Sequence, residues 1–451
     1  MIKSGKVNVS ELIDGNPLSG FQIGAILVCG VIAILDGFDI QVVSFVAPVL
    51  SSLWKTSAAA MGSVFSAGLF GLMIGALLSG PVADKIGRKW VVVASILLYG
   101  LFSVLTTLSA GVGQLVFFRF LTGLGLGGSM PNIIALTAEY APEKVRKTMI
   151  SVMFIGLPFG AVVGGILAQS MLPALGWKSL FYMGGVLPLV IGILAMALLP
   201  ESIRFMVMKN ERSDKVAKIL RKIDRSGSVN EGSSFYLPEV KLEGVPVKHL
   251  VGRRYVANTV FLWIVFFMNL LIIYFVTNWV VTVLHSAGLP LSQAILGIVT
   301  LEGGGVVGGL VIGSWGDRGN IKALLGWAFF LGAVSLVFVG RMGTVGGTMT
   351  VLFLVGLFVV GAQFGINALA ASVYPTSVRS TGIGWALGIG RIGSIIGPMI
   401  GSMLISAHMH LGGIFTVAAV PALLAAIAMV FIKMNPQAEE ARLPESTEVV
   451  S

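Results

Sequence analysis

Long apolar segments alternate with short polar segments along the whole chain. Each of twelve apolar segments has about 20 residues or more, the length of α-helix that crosses ~30 Å of hydrocarbon. Only 11% of the residues are charged, whereas a soluble domain has about 25%. The pattern excludes an ordinary water-soluble enzyme and predicts an all-α polytopic membrane protein. The predicted spans are residues 21–50, 59–80, 90–110, 114–139, 148–171, 179–199, 256–284, 291–315, 322–342, 348–372, 381–405 and 412–433.

Basic residues are concentrated on one side of these spans. Of the 30 lysines and arginines, 25 lie in the terminal segments and in the loops that follow spans 2, 4, 6, 8 and 10. Cytoplasmic loops of membrane proteins carry an excess of such residues, so this side and both termini are predicted to be cytoplasmic. The same placement accounts for the net charge of +10. We therefore expect the protein to reside in the lipid bilayer, and the positive charge does not indicate a nucleic-acid partner.

Several unusual residues recur at a constant separation of 233 positions. A constant offset across several helices predicts two pseudo-symmetric six-helix bundles, residues 21–199 and 256–433, around a central path. They are flanked by an N-terminal segment, 1–20, and a tail, 434–451. The pairs are Gly71 with Gly304, Gly75 with Gly308, Gly80 with Gly313, Asp84 with Asp317, Pro142 with Pro375, Arg146 with Arg379, Gly160 with Gly393, and Gly164 with Gly397.

The linker between the bundles, residues 200–255, is the longest polar stretch and holds 12 basic residues. Its apolar positions Val216, Ile219, Leu220 and Ile223 lie among these basic residues at helical spacing. This spacing predicts a short amphipathic helix at the cytoplasmic interface of the membrane. We interpret it as a connector of the two halves, with a regulatory or partner-binding role as the alternative.

The segment 80–89, between spans 2 and 3, is tight and basic. Gly80 allows close helix approach, and Asp84 can cap a helix or form an ion pair. We therefore predict a conformational latch, with a degenerate counterpart in the second half. The predicted latch residues are Gly80, Asp84, Gly87, Arg88, Lys89, Asp317 and Arg318.

Ionisable side chains within the spans are candidates for function, because each costs about 2.5–3.5 kcal/mol or more at the bilayer centre. Asp36 and Asp39 are predicted on one face of span 1, at the depth of Arg119 in span 4. Two carboxylates that face one guanidinium suit a proton carrier. The alternative is a permanent ion pair that orders the first half.

Arg391 and Glu302 are predicted near the midplane of the second half. A guanidinium matches the geometry of a carboxylate, so Arg391 is predicted to bind an organic anion, with a structural Arg391–Glu302 pair as the alternative. Asn269 stands 233 positions after Asp36, so the second half lacks the equivalent charge. The candidate substrate-binding residues are Arg391, Glu302, Asn269, Tyr274, Trp279, Asn132, Gln363 and Asn367.

Two segments, 123–128 and 388–393, match the dinucleotide-binding fingerprint G-x-G-x-x-G. Both lie within apolar spans and neither follows a strand, so we interpret their glycines as close-packing positions. The histidines have no metal-ligand spacing, and no nucleophile–base arrangement is evident. The sequence therefore predicts neither a metal site nor an enzyme.

Several motifs resemble those of the major facilitator superfamily. The segment 80–89 is similar to its signature between helices 2 and 3. More narrowly, Asp36-Gly-Phe-Asp39, the segment 119–127, the segment 199–205 and the segment 388–391 resemble the aromatic acid/proton symporters. The resemblance implies the major facilitator fold and a secondary active transporter in the bacterial inner membrane, functional as a monomer.

The same resemblance implies import of an aromatic carboxylate by proton symport through alternating access. The proton is then the coupling ion, and no other cofactor is expected. The alternatives are a proton-coupled transporter of another organic acid or of a sugar, and a non-transporting membrane sensor on the same fold.

Overall fold

Twelve long apolar helices form most of the protein in the computed structural model, which describes residues 6–209, 213–224, 229, 234–237, 250, 252, 255–316, 320–374 and 376–434. Each helix is long and apolar enough to cross a bilayer, which confirms the twelve predicted spans. A helix satisfies its backbone hydrogen bonds internally, as a water-free environment requires. The long helices are α2 Gly20–Trp54, α3 Ala58–Ile86, α4 Arg88–Thr106, α5 Val112–Tyr140, α6 Glu143–Leu175, α7 Lys178–Leu198, α10 Val256–Ser286, α11 Leu291–Gly316, α12 Ile321–Val339, α13 Val345–Val355 continued by the π-helical turn Gly356–Val360 and α14 Ala362–Val373, α15 Thr376–Ser406, and α16 Leu411–Phe431.

Shorter elements precede α2 and follow α7. They include two three-residue strands, β1 and β2, which pair in parallel with Lys6 opposite Ser234. The all-α prediction did not include this small sheet. The short elements are β1 Lys6–Asn8, α1 Val9–Gly15, α8 Ile203–Met208, α9 Ser213–Leu220 and β2 Ser234–Tyr236.

The predicted amphipathic helix of the linker corresponds to α9, whose apolar side chains pack within the first unit. Val216 and Leu220 are buried in a hydrophobic core together with Val9 and Leu12 of α1. Helix α1 and the first-half helices supply the apolar surface that α9 covers, while Lys215 stays exposed. The location of α9 at the cytoplasmic interface of the membrane stays a prediction.

The described residues divide by their contacts into two compact units. The first lies within residues 1–42, 67–160 and 175–241, and the second within 43–66, 161–174 and 242–451. Each unit has its own core, built in the first around buried side chains such as Tyr99 and Tyr140 and in the second around Phe266 and Phe329. Residues 43–66 and 161–174, which the sequence assigns to the first bundle, group with the second unit.

The sequence offset of 233 extends to the packing partners of the glycines. A Cβ atom at Gly71 would lie 2.1 Å from the carbonyl oxygen of Phe120, and one at Gly304 would lie 2.1 Å from that of Phe353. Phe353 is itself 233 positions after Phe120. The same relation holds for Gly75 with Leu124 and Gly308 with Leu357, and for Gly160 with Ile34 and Gly393 with Phe267. The internal repeat is therefore a repeat of helix contacts within each unit.

Three glycines do not pack as the sequence suggests. Among the described residues, and leaving aside each glycine's chain neighbours and own helical backbone, no heavy atom lies within 4 Å of a Cβ built at Gly80, Gly313 or Gly388. The predicted close approach at Gly80 and close packing at Gly388 are therefore wrong. The other glycines of the two fingerprint segments do pack closely against neighbouring helices: Gly123, Gly125, Gly127, Gly128, Gly390 and Gly393.

Gly71→Ala and Gly304→Ala are expected to lower the thermal unfolding temperature of the purified protein by several degrees. The added methyl group has no room beside a backbone carbonyl, and overpacking of this kind costs about 1–3 kcal/mol. Gly80→Ala and Gly313→Ala, one in each of the same two helices, are the matched controls and should leave the temperature unchanged or slightly raised. Equal effects in the two pairs would contradict this packing.

Candidate functional site

Two carboxylates are completely buried on α2. The side chains of Asp36 and Asp39 have no exposed surface. They lie three residues apart, so both project from one side of the helix. Helices α4 and α5 supply the polar groups that contact them.

Arg119 of α5 binds Asp39. Its Nη1 donates to Asp39 Oδ2 at 2.9 Å, and its Nη2 donates to the backbone carbonyl of Asp39 at 3.1 Å. Ser103 Oγ of α4 donates to the other carboxylate oxygen, Oδ1, at 2.8 Å. Each carboxylate oxygen of Asp39 therefore has a donor, and the two opposite charges form a buried ion pair.

Asp36 has a different environment. The Ser129 hydroxyl of α5 forms a hydrogen bond with Asp36 Oδ2, and the buried Tyr99 hydroxyl of α4 lies beside the same carboxyl group. The sequence suggests that both carboxylates face Arg119. In the structure both guanidinium nitrogens that donate here bind Asp39, one its carboxylate and the other its backbone carbonyl. The neighbours of the Asp36 carboxyl group are instead hydroxyl groups.

The hydroxyl groups around the two carboxylates are absent from the sequence prediction. Tyr99 and Ser103 stand four residues apart on α4 and therefore on one helix face. Ser129 follows the glycine-rich run of α5 directly. The available signal was this i, i+4 pair of hydroxyls in an apolar span, at the depth of the charged residues.

A second group of polar side chains lies on α10 and α14. Asn269 is fully buried, and its Nδ2 donates to Gln363 Oε1 at 2.7 Å. Within the part of the chain that the structure describes, no hydrogen-bond partner is found for Asn269 Oδ1 or for Asn367 Oδ1, which is also buried. Buried polar atoms are usually hydrogen-bonded, so each of these two oxygens can accept a hydrogen bond from a donor placed beside it.

Arg391 is half-buried on α15 and forms no ion pair with any residue that the structure describes. Glu302 is buried on α11. The predicted roles of Arg391, as an anion-binding residue or as the partner of Glu302, both stay predictions.

The other predicted substrate-binding residues differ in their surroundings. Trp279 is buried, its indole N–H donates to the Pro398 carbonyl at 2.9 Å, and its ring meets Phe65 edge-on at 5.2 Å. Trp279 therefore serves helix packing in the second unit. Tyr274 is half-buried on α10. Asn132 of α5 uses its side-chain N–H to bind the Gly128 carbonyl.

The predicted latch segment is helical almost throughout. Helix α3 continues to Ile86, and only Gly87, with φ of 98°, separates it from α4. Asp84 is exposed and forms no hydrogen bond with a described residue, so the predicted cap or ion pair at Asp84 is not seen. Asp317 and Arg318 lie outside the described residues.

Glu201, which follows α7, joins that segment to the start of α4 in the first unit. Its carboxylate accepts hydrogen bonds from the backbone N–H groups of Ser202 at 2.8 Å and Lys89 at 3.1 Å, at the start of α4. A Cβ at Gly87 would lie 2.3 Å from this carboxylate, which would have to shift, and the positive φ of Gly87 itself favours glycine. Burial raises the pKa of Glu201, and these backbone donors and the Lys89 charge partly lower it.

A second acid, Glu139 of α5, completes the same network. It forms an ion pair with Arg88 and accepts a hydrogen bond from Ser202 Oγ at 2.6 Å. The network joins α4, α5 and the segment after α7 at the end of the helices that carries the basic loops. Arg88 and Lys89 of the predicted latch therefore bind within the first unit. Among the described residues no group of histidine, cysteine and acidic side chains could hold a metal ion.

Comparisons with known proteins agree with this architecture. The sequence matches the Major Facilitator Superfamily over residues 29–385 and 302–450. It is 39% identical over 428 residues to the 4-hydroxybenzoate transporter PcaK of Pseudomonas aeruginosa, covering 94% of this chain and 95% of that protein. It is 37% identical over 425 residues to a gallate transporter of Pseudomonas putida, covering 94% of each.

The fold is similar to that of a solved transporter. The xylose transporter XylE from E. coli, in a partially occluded inward open conformation, superposes with a TM-score of 0.73 at 17% identity, covering 93% of this chain and 99% of that one. The chain is therefore a multi-pass membrane transporter and not an enzyme. It belongs to the Major Facilitator Superfamily, and within it to the family of these aromatic acid transporters, as its motifs predict.

Proposed function

We propose that this protein imports an aromatic carboxylate by proton symport, in the bacterial inner membrane and with both termini cytoplasmic. The observation that carries the proposal is the unequal pair of buried acids, Asp36 and Asp39, in a chain whose relatives are transporters of 4-hydroxybenzoate and gallate. These relatives support the substrate class. The two buried acids support the assignment of the proton as the coupling ion.

The proton site is assigned to Asp36. Arg119 balances the charge of Asp39, so a second negative charge on Asp36 would have no cation to balance it in a buried site. A carboxyl group that carries a proton while buried and releases it to water provides the proton step of symport. Asp39 and Arg119 then hold α2 and α5 in register around it.

The carboxylate of the substrate is assigned to Arg391. Its guanidinium can bind a carboxylate through two parallel hydrogen bonds. The buried acceptor oxygens of Asn269 and Asn367 suit a hydroxyl donor on the ring of a hydroxylated aromatic acid. Gln363 orients Asn269 through their mutual hydrogen bond. Glu302 and Tyr274 remain candidates for contacts with the ring.

Alternating access requires helix contacts that break and re-form. In the second unit, Ser66 Oγ of α3 donates to the Ile395 carbonyl of α15 at 2.9 Å, and Phe65 packs against Trp279. A Cβ at Gly62 would meet the side chain of Ser402 at 2.7 Å. These contacts lie at the end of α3 away from the basic loops, so we assign them to the closed outer side of the transporter.

Proteoliposomes that contain the purified protein should accumulate labelled 4-hydroxybenzoate when the outside is acidic and the inside alkaline. Accumulation should collapse with a protonophore, and excess unlabelled 4-hydroxybenzamide should compete poorly because it lacks the carboxylate. The response of accumulation to an imposed membrane potential reports the number of protons per substrate, since each net charge that crosses the membrane changes the driving force by ~2.3 kcal/mol per 100 mV. One proton per monocarboxylate moves no net charge.

Liposomes without protein are the control for passive entry of the neutral acid. Accumulation that requires sodium at constant pH would refute proton symport and leave the transporter assignment intact. Accumulation of a sugar or an aliphatic acid in place of the aromatic acid would refute the substrate class.

A further inference from the structure

The hydroxyl of Ser129 contacts two oxygen atoms. One is Asp36 Oδ2, and the other is the backbone carbonyl oxygen of Leu126, at 2.9 Å. Ser129 and Asp36 are both completely buried. A serine hydroxyl has one hydrogen, whereas a carbonyl oxygen and an ionised carboxylate can only accept. With Asp36 ionised, one of these two contacts therefore lacks a hydrogen.

Both contacts are hydrogen bonds when Asp36 carries a proton. The carboxyl O–H then donates to Ser129 Oγ, and the Ser129 O–H donates to the Leu126 carbonyl. The surroundings of Asp39 are different, because Arg119 and Ser103 both donate to it. The second possible acceptor of Ser103, a carbonyl at 3.4 Å, is at the outer limit for a hydrogen bond.

The groups that face Asp36 come from every helix around it. Within the described part of the chain, the ionisable ones are Asp39 on α2 itself and Tyr99 on α4, while Arg119 of α5 binds Asp39. Helix α6 approaches α2 with the backbone of Leu157, and α7 approaches it with a glycine. Ser129 is therefore the only described side chain that joins Asp36 to the backbone of a neighbouring helix.

The turn of α5 that contains Ser129 lacks one of the backbone hydrogen bonds of a regular α-helix. Pro131 has no N–H, so the Gly127 carbonyl has no helical donor four residues ahead. Side chains add hydrogen bonds in this turn: Ser129 to Leu126 and Asn132 to the Gly128 carbonyl. A Cβ at Gly127 would lie 2.1 Å from a carbonyl of α3. A change in this turn is therefore transmitted to the contact between α5 and α3.

We propose that Ser129 is a positioning residue that links the protonation of Asp36 to the Pro131 turn of α5. When Asp36 releases its proton, the Ser129 hydrogen turns toward the carboxylate and leaves the Leu126 carbonyl. The turn thereby loses one of its side-chain hydrogen bonds, and α5 can shift against α3. The inference rests on the proposed function only in that Asp36 is the group that exchanges the coupled proton.

An infrared titration of the purified protein tests this link without transport. The band of a protonated carboxyl that disappears in Asp36→Asn belongs to Asp36. In Ser129→Ala the band should move to higher frequency, because its hydroxyl acceptor is gone, and its pH midpoint should rise by about one unit. The rise follows because a charge-assisted hydrogen bond, roughly twice as strong as a neutral one, is lost from the ionised form.

Ser95→Ala is the matched control, since Ser95 is a buried serine on α4 that packs against Gly128 and does not contact Asp36. It should leave the band unchanged, and Ser129→Thr should restore the wild-type midpoint. If Ser129→Ala does not fold, Ser129→Cys, a weak donor of similar size, should give the same shifts.

An unchanged band in Ser129→Ala, or the absence of any Asp36 band, would overturn the inference. A band that responds as expected in a protein with no pH-driven uptake would refute the proposed symport and leave the Ser129 link standing. A pH profile of uptake that shifts with the band in Ser129→Ala would support both.

Discussion

Arg119→Met should destabilise the protein more than Gly71→Ala or Asp36→Asn. The substitution leaves Asp39 as a buried carboxylate without its cation, and removal of one partner of a buried ion pair costs about 3–5 kcal/mol. Arg119 also donates to the Asp39 carbonyl, so α2 and α5 lose a second contact. The expected results are a lower thermal unfolding temperature and loss of uptake.

The double variant Arg119→Met with Asp39→Asn separates charge from packing. It removes both charges, and replacing a buried ion pair by neutral groups is often nearly neutral for stability. The double variant should therefore recover most of the unfolding temperature. If it is as unstable as the single variant, the loss comes from the shape of the Arg119 side chain and not from the unpaired charge.

Asp36→Asn should abolish accumulation driven by a pH gradient while the protein stays as stable as the wild type. Asparagine is close in shape to a protonated aspartate, and its side-chain N–H can donate to Ser129 Oγ as the carboxyl O–H does, but it cannot release a proton. Exchange of labelled for unlabelled substrate at equal pH on both sides should continue, because this exchange moves no net protons. Uptake in proteoliposomes measures both activities.

Asp39→Asn is the matched control for Asp36→Asn, because it makes the same chemical change three residues away. It leaves Arg119 as an unpaired buried cation, so it should lower the unfolding temperature where Asp36→Asn does not. Accumulation that persists in Asp36→Asn would refute its assignment as the proton carrier. Equal instability of the two variants would contradict the separate environments of the two acids.

The sequence predicts the membrane helices well because their physics is local. A run of about 20 apolar residues is a span whatever surrounds it. The offset of 233 also predicts tertiary contacts, since Gly71 and Gly304 meet carbonyls that are themselves 233 residues apart. The strands β1 and β2 were missed because three residues carry no periodic signal and their partners are far apart in the chain.

The candidate site could be predicted only in part. Charged residues in apolar spans identify Asp36, Asp39 and Arg119, because each charge is costly there. Their spacing does not decide which acid pairs with the arginine, since both lie on one helix face. Uncharged groups such as Ser129 decide this, and a serine in a span is too common to stand out. Likewise, Gly80 was expected to pack closely because its motif resembles a tight loop, whereas the helix continues through it.

The parallel pairing of β1 with β2 has a consequence for biosynthesis. Lys6 leaves the ribosome 228 residues before its partner Ser234. At ~5–20 residues per second, this interval is about 11–46 s. During this time the first six helices enter the membrane while the N-terminal strand has no partner. The small sheet therefore forms only after the first half has been synthesised, and its formation marks the completion of that half in the nascent chain.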